Sequence, residues 1–318
     1  MRFNVYHVMR KAIFSLIAAC LCFPVYAQTS RIKYALIPEN PMPGEPVTIG
    51  LNAGIVNDIK SAVLYTSGGK RLARASFFRL STELEKPPVM AAVLTVPATA
   101  SAGFAFINIE NALGIVLEIP LVIKERKFNS ELIDLNETLT GIRTDPDPKK
   151  TAESEHLWAI LNRNGTEIYY TGKFIPPVTS TRRTSFFGDR RTYKYSTGKT
   201  DTSIHAGVDY GIPSGTPVNA CAAGKVVLAR NRIVTGNSVV IEHAPGIYSL
   251  YYHLNKILIK EGAAVKTGTL LGESGSTGLA TGPHLHWEIR VAGENSDPDA
   301  FIQRPILDKE AILAKIKN

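Results

Sequence analysis

Cysteine is scarce in this 318-residue sequence: there are three, and two of them, Cys20 and Cys22, fall within the first 27 residues. Cys221 alone remains downstream, so the rest of the chain can form no internal disulfide, and its stability must come from apolar cores or a metal. Cys221 sits in Asn219-Ala220-Cys221-Ala222 with no adjacent base, which suits a small buried filler rather than a nucleophile. Long apolar runs are also missing. After residue 30 none approaches the ~18–20 residues needed to cross a bilayer, so no transmembrane segment is expected there. Charge of one sign is not clustered. The net charge of +8 is scattered, and its longest uninterrupted runs are pairs such as Lys149-Lys150. Diffuse basicity of this kind gives no footing for a nucleic-acid partner. No His-Glu-x-x-His motif occurs either, which excludes the helical zinc-protease pattern. Against these absences, 44% hydrophobic and 20% charged residues exclude a disordered chain, and the length suggests two domains.

Residues 1–27 have the order of a secretory leader. Met9-Arg10-Lys11 is a positive n-region, Ala12 to Phe23 an apolar h-region, and Val25-Tyr26-Ala27 a small-residue cleavage site before Gln28. This predicts export to the periplasm or cell envelope. Ile17-Ala18-Ala19-Cys20 also resembles a lipobox, which would leave a lipid anchor on Cys20, although Leu21 to Val25 stays apolar where a lipoprotein turns polar. Cleavage after Ala27 removes Arg2, Arg10 and Lys11 and no acid, lowering the net charge from +8 to +5.

The fold class expected is mostly β. Residues 28–125 carry short strand patterns: Val47, Ile49 and Leu51 alternate, and Ala62–Thr66, Ala73–Leu80, Val89–Val96, Gly103–Ile109 and Ile115–Ile123 follow between Gly/Asn/Pro turns. That spacing predicts an immunoglobulin-like sandwich without catalytic groups. Residues 126–180 read as a connector, broken at Asp145-Pro146-Asp147-Pro148 and Pro176-Pro177, with one short helix over Lys150–Leu161. Residues 181–305 are again strand-like and glycine-punctuated, and 306–318 end in a short helix.

Histidine is concentrated. Of seven, five lie between residues 205 and 286: His205, His243, His253, His284 and His286. Neutral imidazole is a common zinc ligand, so the cluster predicts a metal site. His205 and Asp209 are four residues apart with Gly207 between them, which disfavours a helix; on a strand the even spacing puts both on one face. His284-Leu285-His286 likewise aims two imidazoles one way, with Leu285 and Trp287 on the other face. Two such strands can converge on one ion, and two His with one Asp leave a fourth position open for water. His243, ending Val239-Val240-Ile241-Glu242, reads as a structural histidine. Glu288 shares the face of His284 and His286 and could orient an imidazole from outside.

At these residues the sequence resembles the lysostaphin/LytM-like zinc metallopeptidases, which cut peptide bonds in peptidoglycan. The resemblance covers about residues 184–300. It rests on Thr184–Arg190, on His205-Ala-Gly-Val-Asp209 with Gly215-Thr-Pro-Val218, on Tyr251-Tyr-His-Leu254, and on Gly275-Ser-Thr-Gly278 through Thr281-Gly-Pro-His284-Leu-His286-Trp-Glu288. It implies an antiparallel β-sheet domain with a zinc groove. His205, Asp209 and His286 would hold Zn2+, and His253 and His284 would act on the reaction. The implied partner is the peptide stem of peptidoglycan, cut at D-alanyl–diamino acid bonds or, alternatively, at a polyglycine bridge. The N-terminal domain leaves room for an envelope protein partner. Residues 30–125 are expected to fold alone, and a chain starting near Thr179 to keep the chemistry. The rivals each lack something: a non-catalytic adaptor would not need all five groups, a sugar-uptake phosphocarrier would not carry a leader, and a pure binding protein would not need the histidines.

Overall fold

The computed structural model describes residues 32–52, 58–81, 88–163 and 165–317; the expected leader and Cys20 lie outside them. The architecture is mostly β, and nearly all strand pairing is antiparallel. Tyr34–Ile37, Pro46–Asn52, Val89–Thr95 and Phe78–Arg79 form one four-stranded sheet in that order, and Arg71–Ser76, Ser61–Thr66, Gly103–Asn111 and Gly114–Ile123 form a second. Val47, Ile49 and Leu94 from the first and Leu64, Ile107 and Ile119 from the second share one core. Two details differ from the sequence reading. The stretch expected as one strand over 73–80 changes sheets, ending one strand at Ser76 and starting another at Phe78. Tyr34–Ile37 was not expected, because four residues are too few to show a period.

The first sheet is covered on both faces. Pro46–Asn52 is buried at six consecutive residues, whereas the outer strand Gly114–Ile123 alternates between buried and exposed. Alternation is the mark of one wet face, and continuous burial the mark of two dry ones. The second cover comes from the C-terminal half. Ala91 and Val93 join a core with Phe187, Tyr210 and Phe301, while Ala35 and Val89 meet Ile312 and Ile316 of the helix Lys309–Lys317. A Cβ on Gly50 would lie 2.2 Å from Ile312 Cγ2, so glycine lets the helix rest directly on the strand. Thr48 Oγ1 donates to the Ile306 carbonyl at 2.8 Å, and Arg126 pairs with Asp297 at 2.7 Å. The structure therefore argues against treating residues 30–125 as a detachable unit, since their removal would expose apolar residues of the C-terminal half.

That half is built on an eight-stranded sheet. Its order is Arg183–Ser185, Val208–Tyr210, Leu285–Val291, Ile247–Leu254, Gly236–Ala244, Gly224–Arg232 and Ala264–Val265, with Glu294–Ser296 also pairing on Leu285–Val291. Val239 and Ile241 point into the main core. Val240 points the other way, under Leu157, Ile160 and Leu161 of the helix Pro148–Leu161. The connector holds more than the one helix expected. Ser130–Asp134 is a strand, followed by helices Glu137–Thr144 and Pro148–Leu161. Asn136 and Asp147 cap the two helices by accepting from the backbone N–H groups of Leu139 and Lys149, and Pro148 occupies the first turn. Ser130–Asp134 pairs in parallel with Arg190–Lys194, which pairs in turn with Thr200–Ile204. Among the described residues, no helix is long and apolar enough to cross a membrane.

The C-terminal helix is thus a structural clamp. Ile312 is fully buried, so Ile312→Ala should cost about 2–4 kcal/mol. Urea unfolding of the two proteins checks this; a loss below about 0.5 kcal/mol, the range of a surface substitution, would show that the helix contributes little.

Candidate active site

His205 lies between two strands of different sheets, Thr200–Ile204 and Val208–Tyr210. The expectation of a shared strand face with Asp209 is therefore replaced by a turn that swings the two side chains together. His205 is gripped on three sides. Its N–H donates to the Asp189 carbonyl at 2.9 Å, its carbonyl accepts from Gly188 at 2.9 Å, and its ring Nδ1 bonds the Phe186 carbonyl at 2.8 Å. The turn runs tight against the sheet: a Cβ on Gly207 would fall 2.1 Å from the Trp287 carbonyl oxygen. Asp209 sits directly opposite His286 in register, so the two side chains share one face, while Leu285 and Trp287 point into the core behind.

Three atoms converge. His205 Nε2 is 3.1 Å from Asp209 Oδ1 and 3.0 Å from His286 Nδ1, and His286 Nδ1 is 2.7 Å from Asp209 Oδ1. A carbonyl can only accept, so His205 carries its proton on Nδ1 and presents a bare Nε2. His286 Nε2 bonds the Glu288 carboxylate at 2.9 Å, which leaves Nδ1 as its free position. Burial pushes the pKa of His205 down. Burial also opposes charge on His286, but Asp209 and Glu288 on either side outweigh it and hold its pKa up at about 9. Burial likewise works against ionised Asp209, yet the two imidazoles keep its carboxyl well below the usual range. The pocket thus calls for positive charge at its centre. One proton on His286 Nδ1 satisfies one neighbour at a time, whereas a metal ion satisfies all three acceptors. His205, Asp209 and His286 are the group of described residues whose donor atoms lie close enough together to hold an ion.

His253 and His284 stand beside them, their ring centroids 4.8 Å apart. Each is fixed through Nδ1, His253 by the Thr277 carbonyl at 2.8 Å and His284 by the Gly282 carbonyl at 2.8 Å. Both present a bare Nε2, and that of His284 lies 3.9 Å from Asp209 Oδ1. Burial, then the neighbouring His284 and His286, bring the pKa of His253 down to about 3, and burial lowers His284 as well. Both rings are therefore neutral at neutral pH. His253 reaches the site through a bulge: opposite Asn237–Val239, the strand Ile247–Leu254 carries one extra residue, and His253 has φ +61°. The break in alternation lets adjacent side chains meet one ring. Tyr252 stacks on His286 at 5.6 Å between centroids, and His253 approaches the same ring at 6.1 Å.

An open cleft of about 550 Å³ lies over Asp209, His253, His284 and His286. Its lining also includes Glu131, Leu132 and Arg191, which carry no local signal in the sequence, and Arg191 bonds Asp209 Oδ2 at 2.6 Å. No short-range spacing ties residues 131, 191 and 209 together. Glu288 does lie where its strand face suggested, against His286 and held in turn by Arg290 at 2.9 Å.

Imidazoles and a carboxylate gathered around one cation position, on an antiparallel sheet under a cleft, define a site of the metallopeptidase class. Residues 203–298 match the profile of peptidase family M23, and the chain carries a domain of that family. It is 39% identical over 173 residues to the peptidoglycan DD-endopeptidase ShyA of Vibrio cholerae, covering 54% of this chain and 40% of ShyA. It is 39% identical over 138 residues to the DD-carboxypeptidase/endopeptidase Mpg of Neisseria meningitidis, covering 43% of this chain and 31% of Mpg. The matches thus span less than half the length of these curated relatives. A crystal structure from Pseudomonas aeruginosa assigned to peptidase M23 superposes on 82% of this chain and 94% of its own, with a TM-score of 0.56 and 25% identity. That likeness extends well outside residues 203–298.

His243 stands apart from the site. It is fully buried, bonded through Nδ1 to the Ala223 carbonyl at 2.7 Å and through Nε2 to Ser249 Oγ at 2.7 Å. Burial lowers its pKa to about 4. Above pH ~6.5 the ring is neutral in both the folded and unfolded chain, and its contribution is complete. As the pH falls from ~6.5 towards 4, the unfolded chain takes up a proton that the fold refuses, and stability drops by an amount on the order of 3 kcal/mol. His243→Gln should remove this component. Other buried histidines titrate too, so the readout is the difference between the two stability–pH curves over that interval. Parallel curves would show that His243 is not held neutral by the fold.

Proposed function

We propose that this protein is a zinc-dependent endopeptidase of the bacterial envelope that hydrolyses peptide cross-links in peptidoglycan, at D-alanyl–diamino acid bonds. The observation that carries the reading is the convergence of His205 Nε2, Asp209 Oδ1 and His286 Nδ1 beside two imidazoles that open on the cleft. Two nitrogens and one oxygen suit zinc, and three protein ligands leave a position free. Zinc held there would supply Lewis acidity, lowering the pKa of water and polarising the scissile carbonyl. The chain's own groups must handle the proton. With Nδ1–H committed to carbonyls, His253 and His284 can each accept a proton at Nε2 from the attacking water. Once protonated, the same atom can donate to the oxyanion or to the leaving amine. Glu288 keeps the His286 ring from rotating, and Phe186 does the same for His205. ShyA and Mpg are named for DD-peptidase activities, which supports the choice of bond.

The N-terminal sheets fit an immunoglobulin-like sandwich. Their strand orders, first-second-sixth-fifth facing fourth-third-seventh-eighth, correspond to the A-B-E-D and C′-C-F-G arrangement of such domains. This sandwich is the surface we assign to an envelope protein partner. The leader pattern over residues 1–27 supports export from the cytoplasm, with cleavage after Ala27.

Metal analysis of the purified protein should find about one zinc per chain, lost in Asp209→Ala; full retention in that variant would remove Asp209 from the ligand set. His253→Ala and His284→Ala should keep their zinc and lose ~10²–10⁴ in turnover. Purified sacculi digested with zinc-loaded protein, analysed by mass spectrometry, should release stems cut between D-alanine and the diamino acid. Intact cross-links after that digestion would overturn the proposed activity, and near-normal turnover in either histidine variant would take that residue out of the reaction.

A further inference from the structure

We infer that Glu131 and Arg191 are a positioning pair that fixes the orientation and charge of Asp209, so that the connector strand completes the metal site from outside the M23-matched segment. The inference rests on the metal-site reading above. Arg191 and Glu131 stand directly opposite each other in the parallel pairing of Arg190–Lys194 with Ser130–Asp134. From there Arg191 reaches both ways. Its Nη2 donates to Asp209 Oδ2 at 2.6 Å, and its Nε donates to Glu131 Oε2 at 3.1 Å. The other carboxylate oxygen of Glu131 accepts from Ser185 Oγ. The strand bearing Glu131 is itself anchored, since Arg190 N–H donates to the Asn129 carbonyl at 2.8 Å.

This arrangement divides the labour of the Asp209 carboxylate. Oδ1 faces the two imidazoles, and Oδ2 is held by a guanidinium that is only 12% exposed. The ligand therefore offers one oxygen in one direction and cannot rotate to offer two. A guanidinium alone would exact a penalty, because its positive charge beside the ligand repels a metal cation. Glu131 restores the lost negative charge. Asp209, Arg191 and Glu131 together carry −1, the charge of an unclamped aspartate, with the carboxylate now fixed. The rigid fork of arginine is needed to serve two partners at set angles, which a lysine ammonium does not do. Strand pairing puts the two residues opposite each other, but it does not call for a buried guanidinium aimed at a carboxylate that already contacts two histidines.

The test is zinc affinity, measured on the full-length protein by competition with a chromophoric chelator, alongside the melting temperature of the metal-free form. Glu131→Gln keeps the shape and removes the charge. Loss of charge and loss of order both act against the metal, so its zinc Kd should rise about ten-fold, and that of Glu131→Ala by ~10–100-fold, the range usual for partners of metal ligands. Asp134→Asn, on the same strand but paired at the surface with Lys194 at 3.6 Å, should leave the Kd unchanged. If Glu131→Gln does not fold, Arg191→Lys decides the question: it keeps the charge, loses the fork, and should also weaken zinc binding about ten-fold. A lower melting temperature with a Kd within two-fold of wild type would show a structural role only and overturn the inference. A wild-type protein that binds no zinc would instead overturn the metal-site reading on which it stands.

Discussion

Three hydrogen-bond acceptors meet within 2.7–3.1 Å of one another with positive charge at their centre to be supplied, and the surrounding structure is arranged around that demand. His205, His253 and His284 each give their Nδ1 proton to a backbone carbonyl, and His286 gives its Nε2 proton to Glu288. His205, His253 and His284 are thereby each held in one tautomer with a lone pair turned inward, and His286 turns Nδ1 to the same centre, where Asp209 favours a proton on it. Without a shared positive charge such a cluster would be unfavourable, because buried acceptors facing each other repel. The fold must be stiff enough to hold them there. Two imidazoles and one carboxylate, with a single proton on His286 Nδ1 to be given up to a cation, are an N,N,O donor set that needs little rearrangement to bind metal.

The stiffness comes from where the groups are mounted. Asp209 and His286 face each other across paired strands, with Tyr252 stacked behind the His286 ring. Behind the sheet, Leu285 and Trp287 are fully buried. Two departures from regular strand geometry fall at the site itself. His205 sits in a turn whose glycine passes against the Trp287 carbonyl, and His253 sits on a bulge with positive φ. A regular strand would send Tyr252 and His253 to opposite faces. The bulge brings both to the His286 ring, which fits the tendency of such irregularities to collect at sites where a side chain must be re-aimed.

How much of this could be read in the sequence depended on the range of each signal. The His-x-His alternation and the place of Glu288 are short-range patterns, and the structure puts those side chains where the patterns suggested; of the five clustered histidines it gathers four and leaves His243 apart. The shared strand face inferred for His205 and Asp209 had the right consequence for the wrong reason, since spacing alone does not distinguish a strand from a turn between two sheets. The helix Glu137–Thr144 was hidden by its eight-residue length. The strand Ser130–Asp134 was hidden because its partner, Arg190–Lys194, lies about sixty residues away in parallel register, with no hairpin turn to announce it. Glu131 and Arg191 were invisible for the same reason. Each looks like an ordinary surface charge until the pairing brings it to Asp209.

The long-range pairings also change how the two halves relate. A boundary drawn at Pro176-Pro177 follows composition, but the physical divisions fall elsewhere. The connector strand belongs to the cleft, the C-terminal helix belongs to the N-terminal sheet, and that sheet is dry on both faces because the peptidase half covers one of them. Chain order and packing order are therefore interleaved: the last residues brace the first strands, and the first sheet supports the core beneath the catalytic one. Arg126 to Asp297 and Thr48 to Ile306 tie the same junction with polar contacts. An upstream region packed this way is poorly suited to swing aside as a free domain, because apolar residues on both sides would be exposed to water together. Its influence on the site runs instead through fixed contacts, by way of the strand that carries Glu131 to the guanidinium on Asp209.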